Sequence, residues 1–379
     1  MSGSKPSNSR MPCVVSGGLS RMFLSAVSSA VSSVFSSVVS VVASRLASLL
    51  PKKLVAGLCL AASSLFSAHA LASQDPVVFV LNSLDASVSI IDAGSWKEVS
   101  RVPVGKEPHH IYLTPDGKSV LVANAASNSI SVLDPITGKL ERTITQIVDP
   151  YHLRFSPDMK WFVTAANRLD HIDIYRWNGL DAKQPFELVK RIPAAKTPSH
   201  IVIDSKSQVA YVTLQDSNEL IAIDLPSQTA LWTVPTGKMP ADLHLSSDDK
   251  TLLVGLTGQD SVQVFSLGDG PAKPVSHIKT GQGAHAFRSA GDGKSVFVSN
   301  RTANTISRID IGKLEVVAQY EAPGGPDCME LLDDGKTLMV TSRWLGRLTV
   351  IDLETGKRQQ VRVGKSPHGV WTYRNAPRQ

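Results

Sequence analysis

Seven of the nine histidines that follow residue 73 fall in seven short segments of one kind. Each segment opens with proline, or once with alanine, and reads PHHIYL, PYHLRF, PSHIVI, PADLHL, AHAFRS, PDCMEL or PHGVWT. The second residue after that opening one is His110, His152, His200, Asp242, Ala286, Cys328 or Gly369. The fourth is Tyr112, Arg154, Val202, His244, Arg288, Glu330 or Trp371, and the first adds His109, His285 and His368. Imidazole and carboxylate ligands suit zinc, copper, nickel or iron, and a thiolate adds a soft ligand. His110, His152 and His200, with Asp242 in the next segment and Cys328 across from them, are therefore the expected ligands of a transition metal (zinc, copper or iron). No CxxC or HExxH motif supports them, so this expectation rests on position alone. Histidines so placed can equally hydrogen-bond one another and trapped water.

Arginines suggest a second chemistry. Arg154 and Arg288 belong to the segments, and the loops after the following strands carry Ser83, Ala125, Arg168, Gln215, Thr257, Arg301 and Arg343 at one matched position. Cations converging on a walled cleft attract anions, and the guanidinium fork fits carboxylate or phosphate. Arg154, Arg168, Arg288, Arg301 and Arg343, with His109, His285, His368 and Glu330, form the expected anion-binding set. A hydrolase would need Glu330, Asp242 or a histidine as base and an arginine at the oxyanion. Its mark would be a raised-pKa carboxylate beside that arginine. No GxSxG elbow is present. For nucleic acid, which calls for stacking aromatics among cations, only Trp344 with Arg343 and Arg347 qualifies, and the same trio reads as a solvated rim.

The elements that position these residues repeat. One unit, VGKEPHHIYLTPDGKSVLVANAASNSISVLDPITGKLERTI, alternates apolar and polar residues between turn residues, which marks short strands. A strand ending in Asp recurs at Asp92, Asp134, Asp173, Asp224, Ser266 (the exception), Asp310 and Asp352, at intervals of 42, 39, 51, 42, 44 and 42 residues. These aspartates are expected to form turns. Four strands every ~40–45 residues is the period of a propeller blade. The long interval predicts an insertion around Trp177 to Pro193 that lengthens an outer strand. The N-terminal group of strands lacks an inner strand and SPHGVWTYRN supplies one. The expected fold is all-β: a seven-bladed propeller of four-stranded blades, closed by pairing the C-terminal strand with the N-terminal blade, which leaves no free sheet edge. Third and fifth residues after each opening proline should pack between blades, and the second and fourth should line the tunnel.

The units VLVANAASNSISVLDPITGKL and VFVSNRTANTISRIDIGKLEVVA resemble the YVTN-type seven-bladed repeats of exported prokaryotic proteins, over roughly residues 76–374. Proteins of that architecture include surface-layer proteins, a periplasmic propeller reported to bind DNA, propellers accompanying quinoprotein alcohol oxidation, lactonases, and the haem d1 domains of nitrite reductases, which are usually eight-bladed. The resemblance implies the fold and an exported location; it does not carry an activity.

Charge and leader complete the reading. The first 72 residues hold six of the 39 basic side chains and none of the 33 acidic ones, so the remainder is balanced at 33 of each. That balance argues against a nucleic-acid partner. Lys52-Lys53, the apolar run Leu54 to Phe66, and small residues spaced Ala68-His69-Ala70-Leu71-Ala72 read as an export signal. The run is shorter than the ~20 residues that span a bilayer. The expectation is a leader over 1–72, a propeller over 73–379, and a periplasmic or secreted product with no stable membrane span. Cys328 alone remains after the leader, so no disulfide forms within the chain. Short, regular loops favour recognition of a small anionic ligand or a partner protein over catalysis.

Overall fold

The computed structural model describes residues 76–378. The expected leader and its boundary lie outside them. No helix of the described residues is long and apolar enough to cross a membrane.

The chain folds into seven four-stranded antiparallel sheets. Six are contiguous, spanning 108–145, 150–193, 198–235, 240–279, 284–321 and 326–362. The seventh joins Val77–Asn82, Ser87–Asp92 and Lys97–Pro103 to the C-terminal strand Pro367–Thr372. Phe79 pairs with Trp371 and Val80 with Val370, so the last strand becomes the innermost strand of the first blade. This is the seven-bladed propeller the repeat predicts, closed as predicted.

Alternation explains both the sheets and their stacking. Along Val209–Leu214, for example, Ala210, Val212 and Leu214 pack toward the third blade while Tyr211 packs toward the fifth. Seven buried apolar clusters result, one at each junction of neighbouring blades, including Val78, Val80, Met339 and Leu348 between first and last. Outermost strands such as Lys97–Pro103 are largely exposed and carry charged residues, which protects those edges.

A four-residue loop joins the second and third strands of every blade. Its last residue adopts positive φ at Ala86, Asn128, Asp170, Asn218, Asn304 and Gly346, a conformation Asn, Asp and Gly tolerate. This marker corrects the alignment in the third blade. Asn167, not Arg168, holds the first loop position, and Asn167 Nδ2 donates to Pro198 O as Ser83 Oγ does to Pro108 O. The counterpart of Asp92, which faces Val77, is Arg176, which faces Trp161. Asp173 instead sits mid-strand, fully buried, where it accepts both Nε and Nη2 of Arg191. The other aspartates form turns: Asp92 accepts Ser95 N and Asp352 accepts Glu354 and Thr355 N. The insertion lies in the expected span, but most of it forms the turn between Trp177 and Phe186, and the outer strand Phe186–Pro193, at eight residues, is lengthened by only one.

Asn82 ties the closure together. Its Nδ2 donates to Ser87 and Ser89 Oγ, and its Oδ1 accepts Gly364 N at 2.9 Å from the turn before the closing strand. Asn82→Ala leaves that buried amide unpaired and should lower the unfolding free energy by about 2 kcal/mol. Equilibrium urea unfolding measures this, and a loss near zero would show that the closure does not depend on Asn82.

Candidate metal centre

Each inner strand slips register directly after its opening residue. Pro108 faces Asn124 and Ile111 faces Val122, so His109 and His110 together oppose Ala123. The same irregularity recurs in all seven blades. Such a bulge re-aims a side chain. Two successive residues therefore turn toward the axis, and the first position contributes as fully as the second. Tyr151 and Asp327 occupy that first position and were missed by a strict two-residue alternation.

Six buried imidazoles form a circuit around the axis. Ring centroids lie 4.3 Å apart for His110–His152, 4.9 Å for His152–His200, 5.6 Å for His200–His285 and 4.8 Å for His109–His110. His109 is stacked between His368 at 3.5 Å and Tyr151 at 3.9 Å. Gly369 makes room for this. A Cβ there would meet His109 O at 2.9 Å and Leu81 Cδ1 at 2.7 Å. Three sets offer ligand atoms within 4.8 Å of one another: His109, His110 and His368; His110, His152 and His200; and His285, Asp327 and His368.

The protonation state suits ligands. Burial first, then neighbouring histidines and arginines, hold His109, His110, His152 and His368 well below the ordinary histidine value and His200 at about 4. Burial and Arg301 also lower His285 despite Asp327. All six are neutral at pH 7. His110 Nε2, His152 Nδ1 and His200 Nε2 are buried and without a hydrogen-bond partner. The far side of His200 is held by Ser199 Oγ at 2.9 Å, and His152 Nε2 lies 3.4 Å from Tyr112 OH. Burial raises the Tyr112 and Tyr151 hydroxyls to about 12, so both stay protonated.

Asp242 and Cys328, expected as further ligands, do not join these sets. Asp242 Oδ1 accepts Leu243 N and Oδ2 accepts Phe287 N, so its carboxylate staples two blades. Burial, with Asp327 and Asp242 nearby, keeps the Cys328 thiol well above its usual pKa, and its Sγ lies 3.5 Å from His368 Nδ1. Both line a small cavity of about 50 Å³ beneath the histidines.

The expected anion-binding arginines are spoken for. Arg301 Nη2 donates to Asp327 Oδ1 at 2.7 Å and Arg343 Nη1 to Oδ2 at 3.1 Å. Arg168, itself exposed, pairs with half-buried Glu107 and buried Asp149. Arg288 Nε reaches Glu330 at 2.7 Å and its Nη atoms reach the carbonyls of Ser289, Ala376 and Pro377, where the C-terminal segment crosses the lower face and Arg378 also meets Glu330. Arg154 donates to Ile201 O and lies 4.6 Å over the Tyr112 ring. Burial pushes the Asp327 carboxyl up, but Arg301, His368 and His285 more than reverse it and hold it well below the usual range. That is the opposite of a general base poised near neutrality. Trp344 and Arg347 line a separate groove of about 970 Å³ between the last and first blades, together with Leu84, Arg362 and Lys365.

A family model described as YNCE-like beta-propeller matches residues 31–378. No curated protein matches the sequence. Among solved structures, a periplasmic gluconolactonase from Pseudomonas aeruginosa shares 18% identity over 80% of this chain and 99% of its own, with a TM-score of 0.66. Dihydro-heme d1 dehydrogenase NirN, in complex with DHE, shares 16% over 78% of this chain and 74% of its own, at 0.59. Kuenenia stuttgartiensis hydrazine synthase shares 19% over 71% and 96%, at 0.57. At these identities the likeness is one of fold.

Proposed function

The chain belongs to the YNCE-like beta-propeller family, and from that premise we propose that it is an exported binding propeller whose hub holds a transition-metal ion on His110, His152 and His200. The observation that carries this is the convergence of three buried, neutral imidazoles whose ligand atoms lie within 4.8 Å of one another, each with a nitrogen that no protein group satisfies. A buried lone pair without a partner costs free energy, and a metal ion removes that cost at all three at once. Three protein ligands leave a fourth position open, as in zinc sites that bind a further molecule. The residues around the hub supply orientation, with Ser199 and Tyr112 holding the outer nitrogens of His200 and His152. The hydrolytic alternative finds its candidate carboxylates engaged: Glu330 is held by Arg288 and Arg378, Asp242 accepts two backbone amides, and Asp327, beside Arg301 and Arg343, is kept ionised. Export rests on the basic pair, apolar run and small-residue spacing of the leader.

Elemental analysis of untagged protein purified from the periplasm should find about one equivalent or more of zinc, copper or iron per chain. His152→Ala should remove the ion bound by these three residues. Unchanged metal content in that variant would refute the assignment.

A further inference from the structure

The other half of the hub poses a separate problem in proton accounting. His368 Nδ1 lies 2.8 Å from His109 O, and a carbonyl only accepts, so Nδ1 carries the proton and Nε2 is a bare lone pair. Thr257 Oγ1 donates to Ala284 O and lies 3.2 Å from His285 Nδ1. In the tautomer where Thr257 keeps its proton on Ala284 O it accepts from Nδ1–H and His285 Nε2 is bare as well; in the other, Nε2–H would donate to Asp327 Oδ1 at 3.1 Å. Both Nε2 atoms are buried without a hydrogen-bond partner. They lie 3.1 Å and 3.6 Å from Asp327 Oδ1, and Asp327 is fully buried. With both imidazoles protonated at Nδ1, two bare Nε2 lone pairs converge with Asp327 Oδ1, which already accepts Arg301 Nη2, within 4.8 Å of one another, and a cation satisfies both lone pairs at once.

On this basis, and on the reading of the hub as a metal site, we infer that it takes a second divalent ion, zinc(II) or copper(II), on His285, Asp327 and His368. This set shares no residue with His110, His152 and His200, so the two can fill together. Outer groups hold each of its ligands: Thr257 on His285, the His109 carbonyl on His368, and Arg301 and Arg343 on Asp327. Such support is what metal ligands ordinarily receive. The two guanidiniums also set the chemistry of the open position, which would favour an anion such as hydroxide.

Zinc(II) is the probe. The full chain is stripped with a chelator and dialysed against zinc at neutral pH, with folding checked by circular dichroism. The parent protein should bind about two zinc ions per chain, and His285→Asn and His152→Ala about one each. His368→Gln repeats the first test from the other ligand, and exposed His277→Ala should change nothing. One zinc in the parent, lost in His152→Ala and kept in His285→Asn and His368→Gln, would overturn the second site and leave the first. One zinc lost only in the latter two variants would overturn both the pair and the first assignment. No zinc in the parent would remove the metal reading altogether.

Discussion

Asp327→Asn should destabilise the metal-free protein by about 3 kcal/mol, near the lower end of the cost of breaking a buried ion pair. The carboxylate is 0% exposed and faces Arg301, Arg343, His285 and His368. Asparagine keeps the volume and removes the charge, leaving two guanidiniums in the mouth with one weak acceptor between them. Their side chains remain 20% and 27% exposed, so they retain some water, which keeps the cost from the top of the range. Adding Arg301→Met and Arg343→Met to Asp327→Asn should recover much of the loss, because replacing a whole buried charged group costs less than halving it. Urea unfolding of the single and triple variants measures both. A single-variant loss under about 1 kcal/mol, or no recovery in the triple, would show that Asp327 is not the counter-ion that holds the mouth together.

Asp327 also shows where the sequence stops being legible. Blade count, the inner strands and the closing pair follow from turn residues and alternation, because both are local and repeat seven times. Alternation assigns one tunnel-facing residue in two, and by that rule Asp327 and Tyr151 belong elsewhere. The bulge after each opening residue breaks the rule. Its only trace in the sequence is the recurrent pair of polar or small residues after the proline, as in His109-His110 and Asp327-Cys328. The slip in the third blade has another cause. Asp173 matches the strand-ending aspartates in type, while the residue that takes their place is Arg176. The positive-φ residue closing each four-residue loop would have fixed the register, since Asp170 stands level with Asn128 and Asn218. The pairing of the arginines was out of reach for a different reason. Arg301 and Asp327 come from consecutive blades and meet where a loop touches the next inner strand, a contact visible only once Asp327 is known to turn toward the axis.

The pH dependence of the metal-free protein should be steep on the acid side. Seven histidines, the six buried ones of the hub and half-buried His244, have folded-state values below the ordinary one, with desolvation the largest cause in each and His200 and His244 at about 4. The unfolded chain takes up protons at its histidines near pH 6.5, while the folded chain refuses them until lower pH. The unfolded state then binds more protons, so stability rises with pH across this window and is lost as pH falls from about 6.5 toward 4. Each neutral histidine contributes up to about 1.4 kcal/mol per pH unit there. Together they bring the slope to several kcal/mol per unit. Asp327 works against this at His285 and His368, and Arg301 and Arg343 reinforce it. A bound ion adds stability by mass action to the folded state and needs the same neutral imidazoles. Zinc should therefore raise the unfolding midpoint at neutral pH and lose that effect as the medium is acidified. Urea unfolding at a series of pH values, with and without zinc, tests both halves. A flat acid limb would mean that the hub accepts protons while folded. A zinc effect independent of pH would place the ion away from the histidines.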